Sequence, residues 1–200
     1  MNTMTSKTEI RREDLLSMAD YGTSRVVRRK EMSEIKRHRR VAIGPDATFY
    51  FESYQTMFHQ IHEMLWIEKG GDAQIDDELA AYNPLIPNGH ELVATVMIEI
   101  DDPVRRAATL ARLGGFEETI FIAFDGVKTI TAVAEQDVDR TRADGKASSV
   151  QFVHFPFGAS DIVRFRDPDV QVSIGIAHPE YGHIAILRHI VRQSLANDFL

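Results

Sequence analysis

No cysteine occurs in the 200-residue chain. That absence removes disulfides, thiolate nucleophiles, zinc ribbons and cysteine-held iron–sulfur clusters, so any metal must be held by His, Asp, Glu or backbone oxygen. Long hydrophobic runs are missing too. A membrane span needs ~18 apolar residues, and the longest runs here, such as Leu92–Ile98, are strand-length. The opening stretch MNTMTSKTEIRRED has no apolar core after its charges, which reads as no secretory signal and sets the expectation of a cytoplasmic protein without a membrane role. No Gly-x-Gly is present, and Gly145-Lys146 is followed by Ala without the upstream Gly, so neither a Rossmann turn nor a P-loop is expected. A Gly-x-Ser-x-Gly elbow is absent. Asp137-Val138-Asp139 starts like a calcium loop but meets Arg142 where Gly is required. Whether the protein is an enzyme stays open on these grounds.

What is present is ordinary for a folded domain: 44% apolar and 26% charged residues, neither disordered nor membrane-like. The length favours one domain over residues 1–200 that buries roughly 70% of its unfolded surface. Net charge is −7, unevenly spread. Residues 1–40 hold eleven Lys or Arg against six Asp or Glu, and the rest of the chain is strongly acidic. The expectation is a basic helical arm, about 1–40, that docks on its own body or on a second subunit rather than on nucleic acid. Nucleic-acid binding through Arg28, Arg29, Lys36, Arg37, Arg39 and Arg40 is the weaker alternative.

The periodicity predicts helices over about Ile10–Ala19 and Thr23–Arg39, a short strand at Val41–Ile43, and a helix from about Phe51 to Glu68 that stops at Gly70-Gly71. Residues 72–90 read as irregular. Leu92, Ala94, Val96, Ile98 and Ile100 alternate as a strand. Asp102-Pro103 opens a helix, and Asp125-Gly126 joins two strands as a hairpin. Strands follow at Val150–Phe155, Val170–Ala177 and Ile184–Leu187, with a short helix near Ser160–Phe165 and a helix at the C-terminus. The class expected is α+β: a largely antiparallel sheet of about six strands, with helices mainly in the N-terminal third and at the C-terminus.

Candidate chemistry centres on histidine. His59, His62 and Glu63 share one polar face of the Phe51–Glu68 helix, where two imidazoles and a carboxylate within a turn suit divalent iron or zinc. A solvated face with partly buried histidines is the first expectation for that stripe. His178 and His183 flank Pro-Glu-Tyr-Gly and, with a four-residue loop, would face each other about 5 Å apart at Cβ. His154 would complete a three-histidine site if its strand adjoined the Val170 strand. For both, hydrogen-bonded structural histidines are the first expectation and a metal site the alternative. Arg140, Arg142 and Lys146, in the polar loop Glu135–Ser149, can meet an anion or a partner.

Several phrases combine into a resemblance. They include Gly44-Pro45 followed by Ala47-Thr48-Phe49-Tyr50-Phe51-Glu52, then Ile67-Glu68-Lys69-Gly70-Gly71, Ala81-Tyr82-Asn83-Pro84-Leu85-Ile86-Pro87, His154-Phe155-Pro156-Phe157 and His178-Pro179. Together they resemble, from about Asp14 to Leu187, the uncharacterised prokaryotic family catalogued as domain of unknown function 3501. The resemblance implies no activity and no catalytic residue. It implies an association with rubrerythrin-like and iron–sulfur electron-transfer proteins, hence an expectation of iron, redox or stress metabolism. Two functions are therefore carried forward. One is a transition-metal protein acting through the histidines above. The other is a non-catalytic interaction module or oligomeric accessory protein, a homodimer or a partner of a redox protein, that uses the Thr23–Arg39 helix and the Asn83–Pro87 segment.

Overall fold

A strand with apolar residues on both sides has two faces to bury, and β3, with Leu92, Ala94, Val96 and Ile98 on one and Val93 on the other, sets the layering for this reason. The computed structural model describes residues 7–135 and 147–200. In chain order the elements are α1 (Met18–Arg37), β1 (Arg40–Ile43), β2 (Ala47–Phe51), α2 (Tyr54–Glu68), α3 (Asp72–Tyr82), β3 (Glu91–Ile98), α4 (Pro103–Leu110), β4 (Ile120–Phe124), β5 (Lys128–Thr131), β6 (Val133–Ala134), β7 (Val150–Pro156), α5 (Ala159–Arg166), β8 (Val172–His178), β9 (Tyr181–Ile186) and α6 (His189–Ala196). The α+β class holds. The strands form two antiparallel sheets instead of one of about six strands: β1-β2-β3-β7-β6 and β5-β4-β8-β9.

Leu92, Ala94, Val96 and Ile98 of β3 join Phe49, Phe51, Val153 and Phe155 in a core shared with Ile122, Ile174 and Ile176 of the second sheet. The opposite face of β3 presents Val93 to a second apolar cluster with Met57, Ile61 and Leu65 of α2. The first sheet is thus covered on both sides, by the second sheet and by helices.

Two devices tie the sheets together. Ala132 N–H donates to Ile120 O while the next residue, Val133, registers with His154, so one chain segment turns from the second sheet into the first. On the far side, Tyr181 Oη donates to Ile43 O at 2.7 Å and accepts from the N–H groups of Asp46 and Ala47, both at 2.9 Å. This holds the start of β9 against the β1–β2 turn.

Local sequence explains most boundaries. Ser17 caps α1 by accepting from Asp20 N–H, and Asp102 caps α4 by accepting from Arg105 N–H. Asp125 and Gly126 take φ of 51° and 70°, the left-handed pair that the β4–β5 connection needs. Three expectations change. The early helices are one helix, α1, preceded by a single 3-10 turn at Arg12–Asp14. It runs unbroken through Gly22, where a Cβ would lie 2.7 Å from the Trp66 ring, so glycine there lets α1 and α2 approach closely. Ala47–Phe51 is a strand, and α2 starts only after the Ser53 cap. Residues 72–82 form α3, whose thin stripe of Ile75, Leu79 and Tyr82 packs onto the second cluster.

The N-terminal arm docks on the body. Ile10 is buried, and its N–H and C=O bond to the Asn83 side chain at 2.8 and 2.9 Å. Leu85 and Ile86 belong to the same cluster, so the Asn83–Pro87 segment largely faces the chain's own interior. Among the described residues no helix is long and apolar enough to cross a membrane.

One charged residue sits where the layers meet. Arg39, between α1 and β1, is 5% exposed and donates to the carbonyls of Phe51, Glu52 and Ser194 and to the Asp198 carboxylate. Arg39→Met removes the cation and strands a buried carboxylate. The expected loss is about 3–5 kcal/mol of stability, read as a lower urea midpoint with an unchanged denaturant slope.

Candidate anion-binding cleft

The polar stripe of α2 is engaged in internal bonds. Arg25 holds both Glu63 oxygens at 2.8 Å, and Tyr21 Oη donates to the same carboxylate at 2.6 Å. These bonds, Arg25's first, outweigh burial and bring the Glu63 carboxyl down to about 2. The Arg25 guanidinium also lies 5.7 Å from the Trp66 ring centroid. His62 is fully buried, with Nδ1 2.7 Å from Phe58 O and Nε2 accepting from Leu16 N–H at 3.0 Å. Both ring nitrogens are used, which sets the neutral Nδ1–H tautomer, and burial lowers the pKa in the same sense. His59 alone keeps its outer edge free, with Nδ1 3.5 Å from Tyr21 Oη.

The remaining histidines lie apart. The β8–β9 turn has two residues, not four, so His178 registers with Tyr181, while His183 registers with Ile176. The two imidazoles are diagonal neighbours. His178 Nδ1 accepts from Glu180 N–H, and the His183 ring packs on the Tyr181 ring at 4.6 Å. His154 lies in the other sheet, because β7 and β8 are not neighbours. It stands between Glu91, 3.1 Å from Nδ1, and Glu135, 3.6 Å from Nε2. Among the described residues no group of three or more His, Asp or Glu is arranged to hold a metal ion. Arg140, Arg142 and Lys146 lie outside the described residues.

The cationic side chains of α1 converge elsewhere. Beyond Arg39 the chain enters β1, and residues of α1 and β1 line one opening. Where β9 gives way to α6, a cleft of about 840 Å³ opens between α1, β1, β9 and α6. Its cations are Arg29, Lys36 and Arg37 of α1, Arg40 of β1 and Arg188 at the head of α6, with His59 beside them. Tyr50, Met32, Ala185, Ile186 and Val191 supply aromatic and apolar surface, and no carboxylate is among the described lining residues. Arg37 pairs with Glu34 at 2.7 Å, and Arg40 reaches Glu99 at 3.4 Å while stacking on the Tyr50 ring. Arg29, Lys36 and Arg188 have no partner among the described residues. Burial, opposed by the Glu63 charge and reinforced by Lys36 and Arg29, lowers the His59 pKa. Uncompensated positive charge in a concave, partly apolar site is chemistry for binding an anion. The charge excess of residues 1–40 pointed to four of these cations; nothing in the sequence pointed to Arg188.

A two-sheet α+β protein with a basic cleft is the class these features define. The chain belongs to the family described as protein of unknown function DUF3501, whose model matches residues 9–199. It is also similar to the crystal structure of a novel protein of unknown function from Burkholderia pseudomallei K96243. The TM-score is 0.88 at 36% identity, over 96% of this chain and 99% of that one. No curated protein matches the chain.

His154 makes a pH prediction. Its hydrogen bond to Glu91, and then the Glu91 and Glu135 charges, raise its pKa against an opposing burial effect. The stabilisation is therefore fully present below the unfolded value of about 6.5 and is lost as pH rises through the folded value. His154→Gln is expected to destabilise the protein at about pH 5.5 and to converge on the wild type at alkaline pH, measured by urea unfolding across that range.

Proposed function

We propose that the protein is a non-catalytic interaction module whose basic cleft receives an acidic partner. The observation that carries this reading is the convergence of Arg29, Lys36, Arg37, Arg40 and Arg188 on one cleft of about 840 Å³ without a lining carboxylate. Like charges held together repel, and an anion relieves that repulsion while its own desolvation is offset by several cations at once. Mixed lining narrows the class. Ile186, Val191 and Met32 sit among the cations, which suits a partner carrying both carboxylates and apolar groups. The acidic remainder of the chain repels a long polyanion, so nucleic acid is disfavoured. A redox protein is the partner class to try first, given the family association, and a homodimer is the alternative. The metal reading has less support. Iron or zinc at His59, His62 and Glu63 would have to displace Arg25, Tyr21 and Leu16 from bonds already made.

The test is binding of a labelled oligoglutamate, about ten residues long, followed by fluorescence anisotropy at low and raised salt. Lys36→Glu with Arg188→Glu is expected to weaken it by at least about tenfold, roughly 1.4 kcal/mol. Lys69→Glu, at an exposed cation outside the cleft, is expected to change little. Equal binding by all three proteins removes the cleft from consideration.

A further inference from the structure

We infer that the cleft takes its acidic partner as an extended peptide that adds a strand to the open edge of β1. This deepens the reading of the cleft as an anion site and rests on it.

The inference comes from the hydrogen-bond phase of β1. Antiparallel ladders alternate between residue pairs that exchange backbone bonds and pairs that do not. Phe51 N–H donates to Arg39 O at 2.8 Å, and the register runs Arg40↔Tyr50, Val41↔Phe49, Ala42↔Thr48, Ile43↔Ala47. Arg39, Val41 and Ile43 therefore bond inward to β2, while Arg40 and Ala42 turn their N–H and C=O groups away from it. β1 is the terminal strand of its sheet. Arg40 and Ala42 line the cleft, and their backbone groups meet no partner among the described residues. Across the gap lies β9, the terminal strand of the other sheet. Tyr181 draws β1 and β9 together at the Ile43 end. At the Arg40 end they part, and the cleft is the opening between them.

Side-chain chemistry on the two sides of this edge is unlike. Arg40 and Ala42 project to the outer face of the sheet, where Arg29, Lys36 and Arg37 of α1 stand. Val41 projects inward, on the side of Ala185 and the buried Val191. A strand laid along β1 alternates its side chains between those two sides. The occupant that fits is a segment alternating acidic and apolar residues, its carboxylates outward among the cations and its apolar groups inward. Backbone bonds to Arg40 and Ala42 would supply affinity, and alternation would supply specificity. Small phosphorylated molecules can use the cations but not the strand edge, and this difference separates the two by experiment.

The probe is a fluorescein-labelled peptide alternating glutamate and valine, about five residues long, the span of a short strand. Two twins are N-methylated on the backbone nitrogens of one edge or of the other, and inorganic triphosphate serves as a competitor. Ala42→Pro removes the outward N–H at an edge position that bonds to no strand, where proline is tolerated; its thermal midpoint reports whether it has folded. Expected results are binding by the plain peptide, at least about a tenfold loss on N-methylation of one of the two edges, and a similar loss with folded Ala42→Pro. Hydrogen exchange at the Arg40 and Ala42 amides should slow with peptide and not with triphosphate. Unaltered binding by the twins methylated on either edge overturns the strand model whether or not Ala42→Pro folds. If the Lys36→Glu, Arg188→Glu protein still loses binding in that case, the anion cleft stands and only strand pairing falls. Unaltered binding by that charge-reversed protein removes both.

Discussion

The Arg39 guanidinium joins segments from both ends of this protein. It stands at the exit of α1, bonds the carbonyls that end β2, and reaches Ser194 and Asp198 at the close of α6. Its value is geometric. Burial pushes the Asp198 carboxyl up more than the arginine pulls it down, as expected when desolvating two ions costs more than their attraction returns. A pair of that kind adds little net stability, yet it allows one arrangement of the segments that meet on it. Those segments, α1, β1 and α6, are three of the four walls of the basic cleft. Arg192 repeats the pattern nearby, buried against the carbonyls of Arg164, Phe165, Asp167 and Val170 that end α5 and lead into β8. The C-terminal helix is held by two arginines that collect carbonyl oxygens from elements distant in sequence.

Polar groups in the helical layer then divide by whether their bonds are made. Glu63, Arg25, Tyr21 and His62 satisfy one another or nearby backbone, as buried polar groups must. Their residue types suggest chemistry, but their hydrogen-bonding capacity is spent on joining α1 to α2. Arg29, Lys36 and Arg188 are the opposite case: long cations that line one concave surface, with no partner among the described residues. Unmet capacity that converges is a better sign of recognition than residue type. Here it moves attention from the histidines to the arginines.

Local signals were legible in the sequence where one residue type dictates backbone geometry. Asp125-Gly126 gave the hairpin, Asp102-Pro103 gave the start of α4, and the alternation from Leu92 gave β3 with its buried face. Weak apolar stripes hid α3, and the continuity of α1 through Gly22 rests on the Trp66 ring, which lies on another helix. The His178–His183 expectation turned on loop length: two residues in place of four moved each imidazole by a register step and put Tyr181 opposite His178. His154 illustrates the larger limit, since no periodicity says which sheet a strand joins. The cleft was half visible. The basic excess of the first forty residues was plain, but Arg188 lies far along the chain and joins the same cleft only in the folded protein.

The Arg39 and Tyr181 contacts also explain why β1 has an edge to offer. Barrels remove unpaired edges by closing, and open sheets otherwise cover or charge them. This fold closes on one side through the Ala132 turn and stops short on the other. Tyr181 brings β9 to β1 at the Ile43 end, while at the other end of β1 Arg39 bonds to the close of β2 and to the α6 region. The incomplete closure leaves two unpaired backbone positions beneath a row of cations. Charge is one of the protections of an exposed edge against another strand, and the lysine and arginines here repel basic segments that would otherwise pair. An acidic strand is the exception, because the same charges attract it. On the proposed reading, an edge of this construction disfavours basic segments and admits a partner that neutralises its cations.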